Sequence, residues 1–385
     1  MAVDRVYILD LIAQGEGPSV EFKTEQVRPE KIAREIVALA NTRGGGTIVF
    51  GVTDGGIIEG VSNLKQWEER IANIARHSVI PSINIGFFST KVEDKDIVAV
   101  TVSKGRDKPY QTTHGKYYLR VGSTNRIATQ SELLRLFQAT GTFHYDLSPV
   151  PGTGIKDLNF SKLDNYFSNY NFSFSREGDD QKQILLQNTD ILTNHGVVTI
   201  AGLLLFGSNP SKHLPQNGIS FAYFRGESIN EELIDKQNVD GNLDYQVDTG
   251  VAVLKNHLAK PSTIVGAKRV DTTYRFPDKV FRELLTNAVV HRNYAIIGSR
   301  IRLFLFEDRL EVISPGRLPN TVTIEKLRFG VSFATNPVIF KFMENMNYID
   351  QLGRGLPMVY QEALNNGKKV VFEEIGEEFK VTLEV

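Results

Sequence analysis

Hydrophobic positions along the chain follow two rhythms, a helical one of three to four residues and a strand-like alternation. Val6, Ile8, Leu9, Leu11 and Ile12 predict a helix from Met1 to about Ala13, broken by the segment GEGPS. Val20-Glu21-Phe22-Lys23 then reads as a strand. Ile32, Ile36, Val37, Leu39 and Ala40 stand at helical spacing up to Asn41-Thr42, and Gly44-Gly45-Gly46 leads into a strand at 47–52. The turn Thr53-Asp54-Gly55-Gly56 follows, then a helix over Leu64–His77, strands at Ile83–Ser89, Ile97–Ser103 and Lys116–Val121, and a helix at Glu132–Gln138. This predicts an α+β module over residues 1–145.

Residues 146–183 are rich in Ser, Asn, Asp, Gly and Pro and read as a linker with one short helix at Lys162–Tyr170. A middle segment, 184–274, holds the apolar run Val197–Phe206 (a buried strand or short core helix), a strand at Gly218–Phe224, a helix at Asp244–Leu258 and a polar gap at 260–272. The last part, 275–385, alternates helix (278–293), strands (299–306, 310–313), helices (335–347, 356–365) and a strand (379–384). The fold class is α+β.

Composition narrows the possibilities. The 385 residues, 41% hydrophobic and 23% charged, suit two or three globular domains and exclude a disordered or fibrous chain. There is no cysteine, which excludes disulfides, thiolate-bound zinc, iron–sulfur clusters and a Cys nucleophile. No apolar run reaches the 18 or so residues of a spanning helix, and the first residues lack a signal-peptide pattern. A cytoplasmic protein away from membranes is the expectation.

The net charge is −1, from 44 Lys+Arg and 45 Asp+Glu, but the balance is uneven. The first 145 residues carry a small positive excess and the remainder a small negative one. Lys104, Arg106, Lys108, Lys116, Arg120 and Arg126 are opposed within their stretch only by Asp107, and Tyr110, Tyr117 and Tyr118 are interleaved with them. Cations can contact phosphates and rings can stack on bases. The same pattern also suits the solvated basic edge of a hairpin.

Three acids accompany the first strands: Glu16, Glu21 and, in the turn, Asp54. Convergent carboxylates can hold Mg²⁺ or Mn²⁺ for phosphodiester hydrolysis, with Lys23 neutralising a phosphate; acids beside turns are more often solvated caps. Gly44–Gly46 reads first as a tight turn and second as a phosphate contact. Near the other end, Glu283, Asn287 and His291 are spaced i, i+4, i+8 and share a helix face, either an ordinary polar face or one that orients water, Mg²⁺ and phosphate.

The phrases GEGPSVEFKTE and ALANTRGGGTIVFGVTDGGIIEGV resemble the divergent AlbA-type domain of the Schlafen superfamily, over roughly residues 12–135. The resemblance implies nucleic-acid binding, and in nucleolytic members a metal-holding triad that falls on Glu16, Glu21 and Asp54. FRELLTNAVVHRNY, DRLEVISPGRLP and DQLGRGLPMV together resemble the ATP-binding domain of the gyrase/chaperone/histidine-kinase type, over roughly 275–385, in the form joined to AlbA-type domains in transcriptional regulators. This implies a C-terminal α/β sandwich, ATP as ligand, Glu283 as general base and Asn287 as the Mg²⁺ holder. It also implies that Gly353, Arg354 and Gly355 lie at the phosphates and that Ser314 and Gly316 occupy the first glycine box. Ser314 stands where relatives carry the Asp that accepts from the adenine amine; a serine accepts too, but it is neutral and shorter.

No winged-helix segment follows before Val385, so DNA reading is expected of the N-terminal module. The expectation is an ATP-regulated nucleic-acid-binding protein, DNA or RNA, forming a homo-oligomer. The alternative is a Mg- or Mn-dependent nuclease gated by ATP, which leaves its standing as an enzyme open.

Overall fold

The computed structural model describes residues 2–42, 44–105, 107–140, 143–258, 263–265, 268–270, 276–319, 322–330, 333–349 and 353–385, with the backbone alone considered at 2–4, 139, 263–265 and 268–270. Arg106 and most of the polar gap at 260–272 lie outside the described residues. The chain divides into two compact units, Met1–Phe143 and His144–Val385.

The first unit runs α1 (Ala2–Gln14), β1 (Val20–Lys23), α2 (Pro29–Asn41), β2 (Gly46–Phe50), α3 (Leu64–His77), β3 (Val79–Ile80), β4 (Ile85–Val92), β5 (Lys95–Val102), β6 (Gln111–Thr112), β7 (Tyr118–Val121), β8 (Thr124–Ile127) and α4 (Gln130–Ala139). Its main sheet has the order β1-β2-β5-β4, with β1 and β2 parallel and the other pairs antiparallel. A parallel neighbour needs a crossover, which α2 supplies. Pro29 sits where a missing N–H costs nothing, and the apolar stripe of α2 buries Ile32, Ile36, Val37 and Leu39 against Ile48, Phe50, Val98 and Val100. The expected boundaries of β1 and α3 coincide with the observed ones. At α4, Thr129 and Glu132 form a reciprocal capping box.

The second unit contains α5 (Phe160–Ser168), α6 (Asp179–Asn188), α7 (Ile200–Phe206), α8 (Pro210–His213), β9 (Ile219–Phe224), β10 (Leu233–Val239), α9 (Leu243–Leu258), β11 (Thr263–Val265), β12 (Lys268–Val270), α10 (Asp278–Val290), β13 (Ile301–Leu305), β14 (Arg309–Pro315), α11 (Ile324–Leu327), α12 (Pro337–Asn345), α13 (Gly355–Asn365), β15 (Val370–Ile375) and β16 (Glu378–Glu384). A six-stranded sheet of order β10-β9-β13-β14-β16-β15 is antiparallel except between β9 and β13. The apolar run at 197–206 forms α7, every residue of which is buried.

Residues 146–183 are not a linker. Val150, Leu158, Leu163, Phe167 and Phe174 are buried in the same core as Phe206, Leu285, Ile339 and Leu383. Their polar neighbours face outward along short helices and turns, which is why composition alone suggests a tether. Likewise, the middle segment and the part after 275 share one sheet through β9 and β13.

Asp146, fully buried, accepts the N–H groups of Val338 (2.8 Å) and Ile339 (3.2 Å) and so caps α12. Among the described residues no helix is long and apolar enough to cross a membrane.

Candidate functional site

The three acids singled out in the first unit are engaged separately. Glu16 accepts the backbone N–H of Phe22 at 2.9 Å, on the outer edge of β1. Glu21, buried, pairs through one oxygen with Lys23 and through the other with Arg120 at 2.7 Å. Asp54 is exposed in its turn beyond β2. Among the described residues no three His, Cys, Asp or Glu side chains converge as a metal ion requires. The expected cluster of Glu16, Glu21 and Asp54 is thus not drawn together among the described residues, and Lys23 and Arg120 supply positive charge beside Glu21.

Arg120 and Lys108 correct the expected nucleic-acid strip. The Arg120 side chain is 1% exposed and donates to the carbonyls of Gly17 (2.6 Å) and Val20 (2.9 Å), while Glu35, buried on α2, stands 3.6 Å from it. Burial, reinforced by the nearby Glu21 charge, pushes the Glu35 carboxyl above its ordinary range. Asn125 also donates to Glu35, so β7 and β8 are fastened to α2 and β1 through buried charge. Lys108 is buried and donates to the Thr42 carbonyl. Arg126 forms a two-pronged pair with Glu132, at 2.8 and 2.5 Å. Of the expected strip, Lys104 and Lys116 are exposed and Tyr118 is half-buried.

The ANT-GGG phrase also has a local role. Asn41, 4% exposed, accepts from the Tyr110 N–H (2.8 Å) and donates to the Tyr110 (2.9 Å) and Tyr118 (3.0 Å) carbonyls. Gly45, at φ +74°, sits so close to β5 that a Cβ would stand 2.1 Å from the Val102 carbonyl oxygen. The turn reading of the glycines therefore suffices here.

The second unit holds a cleft between α10, β14, β16 and α13. Its apolar half is lined by Leu284, Ala288, Val312, Leu318, Phe379 and Val381, together with Ser314 and Gly316, around about 780 Å³ of space counted out to open solvent. Asn287, His291 and Leu356 carry the lining into a more polar half containing Glu283, Gly353 and Gly355. Helical periodicity explains the division: Leu284 and Ala288 lie beside Glu283 and Asn287 on the open side of α10.

Asn287 donates to Glu283 twice, to its carbonyl at 2.8 Å and to its carboxylate at 2.5 Å. Gly355 opens α13 directly against that carboxylate, and a Cβ there would stand 1.6 Å from Glu283 Oε1. His291 stands just past the end of α10, not within the helix; burial pushes its pKa down to about 4, so it is neutral at pH 7. Ser314 donates its hydroxyl proton to the Ala288 carbonyl at 2.8 Å, leaving its lone pairs toward the cleft as acceptors. The Gly316 N–H is taken by the Glu377 carbonyl, and Arg354 is exposed at the start of α13.

Two buried residues that sequence reasoning missed hold this arrangement. Arg292 donates to the carbonyls of Asn293 (2.8 Å), Ile296 (3.0 Å) and Ser299 (2.6 Å), and Asn336 donates to those of Val290 and Arg292 at 2.8 Å each. Burial lowers the Arg292 pKa to about 10, which leaves it charged. The one available signal was an Asn immediately before Pro337; Arg292, between His291 and Asn293, reads simply as a polar helix end.

Residues 16–129 match the family model described as "Schlafen, AlbA_2", and residues 298–383 match the one described as "Putative ATP-dependent DNA helicase recG C-terminal". The chain thus joins an AlbA_2 domain to a HATPase_c_4 domain. The second match includes Ser314, Gly316 and Gly353–Gly355 but begins after Glu283, Asn287 and His291. The chain is similar to the crystal structure of the DIP2311 protein from Corynebacterium diphtheriae, at 21% identity and a TM-score of 0.47, over 95% of this chain and 64% of that one. It therefore spans less than two thirds of that relative. It is also similar to the solution structure of the N-terminal domain of a RecG-related protein from Nitrosomonas europaea, at 18% identity and a TM-score of 0.25, over 31% of this chain and 92% of that one. No curated protein matches the chain.

Proposed function

We propose that this protein binds nucleic acid through its N-terminal unit and ATP through the cleft of its C-terminal unit, with nucleotide occupancy tuning nucleic-acid binding. The observation that carries the reading is the divided cleft. An apolar half with an acceptor, Ser314, suits a purine carrying an amine, and a polar half with a carboxylate–amide pair against a glycine suits the phosphate end. Glu283 is positioned to orient water. Asn287 is positioned to hold Glu283 and, together with it, to contact a phosphate-bound Mg²⁺, which would neutralise phosphate charge. The neutral His291 would contribute a hydrogen bond and no charge.

Cleavage of nucleic acid is less well supported than binding. Metal-assisted hydrolysis requires carboxylates turned toward a shared ion. Here Glu16 is committed to a backbone N–H and Glu21 to two cations.

Thermal unfolding with and without Mg-ATP tests the cleft. Ligand at a hundred times its Kd stabilises by about 2.7 kcal/mol, which should appear as a raised midpoint in the wild type and vanish in Asn287→Ala. Gly355→Ala should lose it too, because the added methyl displaces the Glu283 carboxylate. An undiminished shift in both variants would remove the cleft from nucleotide binding. Nucleic-acid affinity measured with and without ATP then tests the coupling.

A further inference from the structure

A second concavity lies within the N-terminal unit, between the first turns of α2 and the connection from β6 to β7. Lys31 and Arg34 form one side, and Thr113, His114, Lys116 and Tyr118 the other, around about 840 Å³ of space counted out to solvent. Only Lys116 and Tyr118 were singled out by the sequence. Lys31 and Arg34 lie far away in sequence, on the half of α2 turned from the core.

Its charge is unbalanced. Among the described residues no carboxylate pairs with Lys31 or Lys116, both exposed. Among the described residues Arg34 has only Glu35 at 3.4 Å, a carboxylate already shared with Arg120 and Asn125, and its buried Nε has no hydrogen-bond partner there. Three permanent cations thus face the groove against one acid on its wall, Glu30. Beside them is an aromatic side chain whose backbone is fixed, since Asn41 holds the Tyr118 carbonyl.

We propose that this groove seats an unpaired nucleotide of a single-stranded nucleic acid, its phosphate among Lys31, Arg34 and Lys116 and its base against Tyr118. The inference rests on the reading that the N-terminal unit binds nucleic acid, and it names the place and the strandedness. Cations that lack partners bind phosphates with a strong salt dependence. A recessed ring stacks on a base only when that base is free of its duplex neighbours, whereas a duplex presents a convex backbone.

The test uses the full chain and fluorescence anisotropy with labelled oligothymidylate, oligouridylate and a duplex of similar charge, at rising KCl. Lys31→Ala combined with Lys116→Ala should weaken single-strand binding about tenfold and lower the log–log salt slope by about 1.4, for two lost contacts. Tyr118→Leu should weaken it several-fold while leaving the slope unchanged. Lys65→Ala combined with Arg76→Ala, an equal charge loss on exposed positions of α3, should leave affinity and slope near wild type. Circular-dichroism melts establish that each variant is folded.

Unchanged affinity and slope in the Lys31/Lys116 variant, with binding intact, would overturn the groove and leave the nucleic-acid reading standing. Equal losses for duplex and single strand would overturn the strandedness. Displacement by dTMP as effective per nucleotide as by oligothymidylate would assign the groove to a free nucleotide and overturn the proposal. A wild type that binds none of the probes would overturn the nucleic-acid reading itself, and the groove's ligand with it.

Discussion

Replacing Arg120 by alanine should lower the stability of the N-terminal unit by roughly 3–5 kcal/mol, the usual consequence of removing one partner from a buried ionic cluster. Glu21 and Glu35 would remain buried with only Lys23 and the weakly placed Arg34 to balance them. The Gly17 carbonyl would lose its Arg120 donors, the Val20 carbonyl would keep only the Gly17 N–H, and β7–β8 would lose its fastening to β1. Arg120→Lys should recover only part of the loss, because one ammonium cannot reproduce the planar fork that reaches carbonyls and carboxylates together. The readout is convenient: the chain has a single tryptophan, Trp67, buried against Phe50, so its fluorescence during urea unfolding follows this unit. A midpoint equal to wild type, accompanied by weakened nucleic-acid binding, would instead make Arg120 a surface contact.

The second large effect is a pH dependence centred on Asp146. Burial raises its pKa from an ordinary 3.8 to about 6, although two backbone N–H groups partly offset the shift. The native carboxyl therefore holds its proton where the unfolded one has released it. As pH rises from about 4 to about 6, native stability falls, and above that window a penalty on the order of 3 kcal/mol is fully present. Acidification from neutral pH to about 5 should recover part of it.

Asp146→Asn keeps an acceptor for the start of α12 without the charge. It should flatten this dependence and raise stability at neutral pH. Asp146→Ala should lose about 1 kcal/mol of capping whatever the pH. Urea midpoints across the range, with the Asn variant subtracted from wild type, isolate the group from other titrations. Parallel curves would show that Asp146 does not titrate there. The consequence reaches the cleft, because Phe340, in the first turns of α12, lines its polar half.

Much of the secondary structure was legible because periodicity and stop signals are local. Apolar residues at helical spacing, Gly-rich turns, and strands of alternating or continuous apolar residues place β1, α2, α3, β9 and α10 within a few residues of where they lie. The strands β10 and β15 were missed for a physical reason. Both edge the sheet; β10 faces water along most of its length and carries polar residues that mask the strand pattern, while the apolar start of β15 is too short to stand out. The tether expected at 146–183 failed in the same way, since its few apolar residues, spaced irregularly, are the ones that enter the core.

The candidate sites divide along a similar line. Glu283 and Asn287 were legible because i, i+4 spacing on a helix guarantees a shared face, and Gly355 because a glycine-rich phrase opens a helix. Sequence by itself determined the elements with strong local periodicity, two domain types and the polar residues of the cleft, all encoded in short-range spacing. Tertiary structure alone decided which charges face water. Arg120 and Lys108 turn inward while Lys31 and Arg34 come to line a groove with Lys116, because the path of each charged side chain depends on carboxylates and carbonyls brought to it from distant parts of the chain.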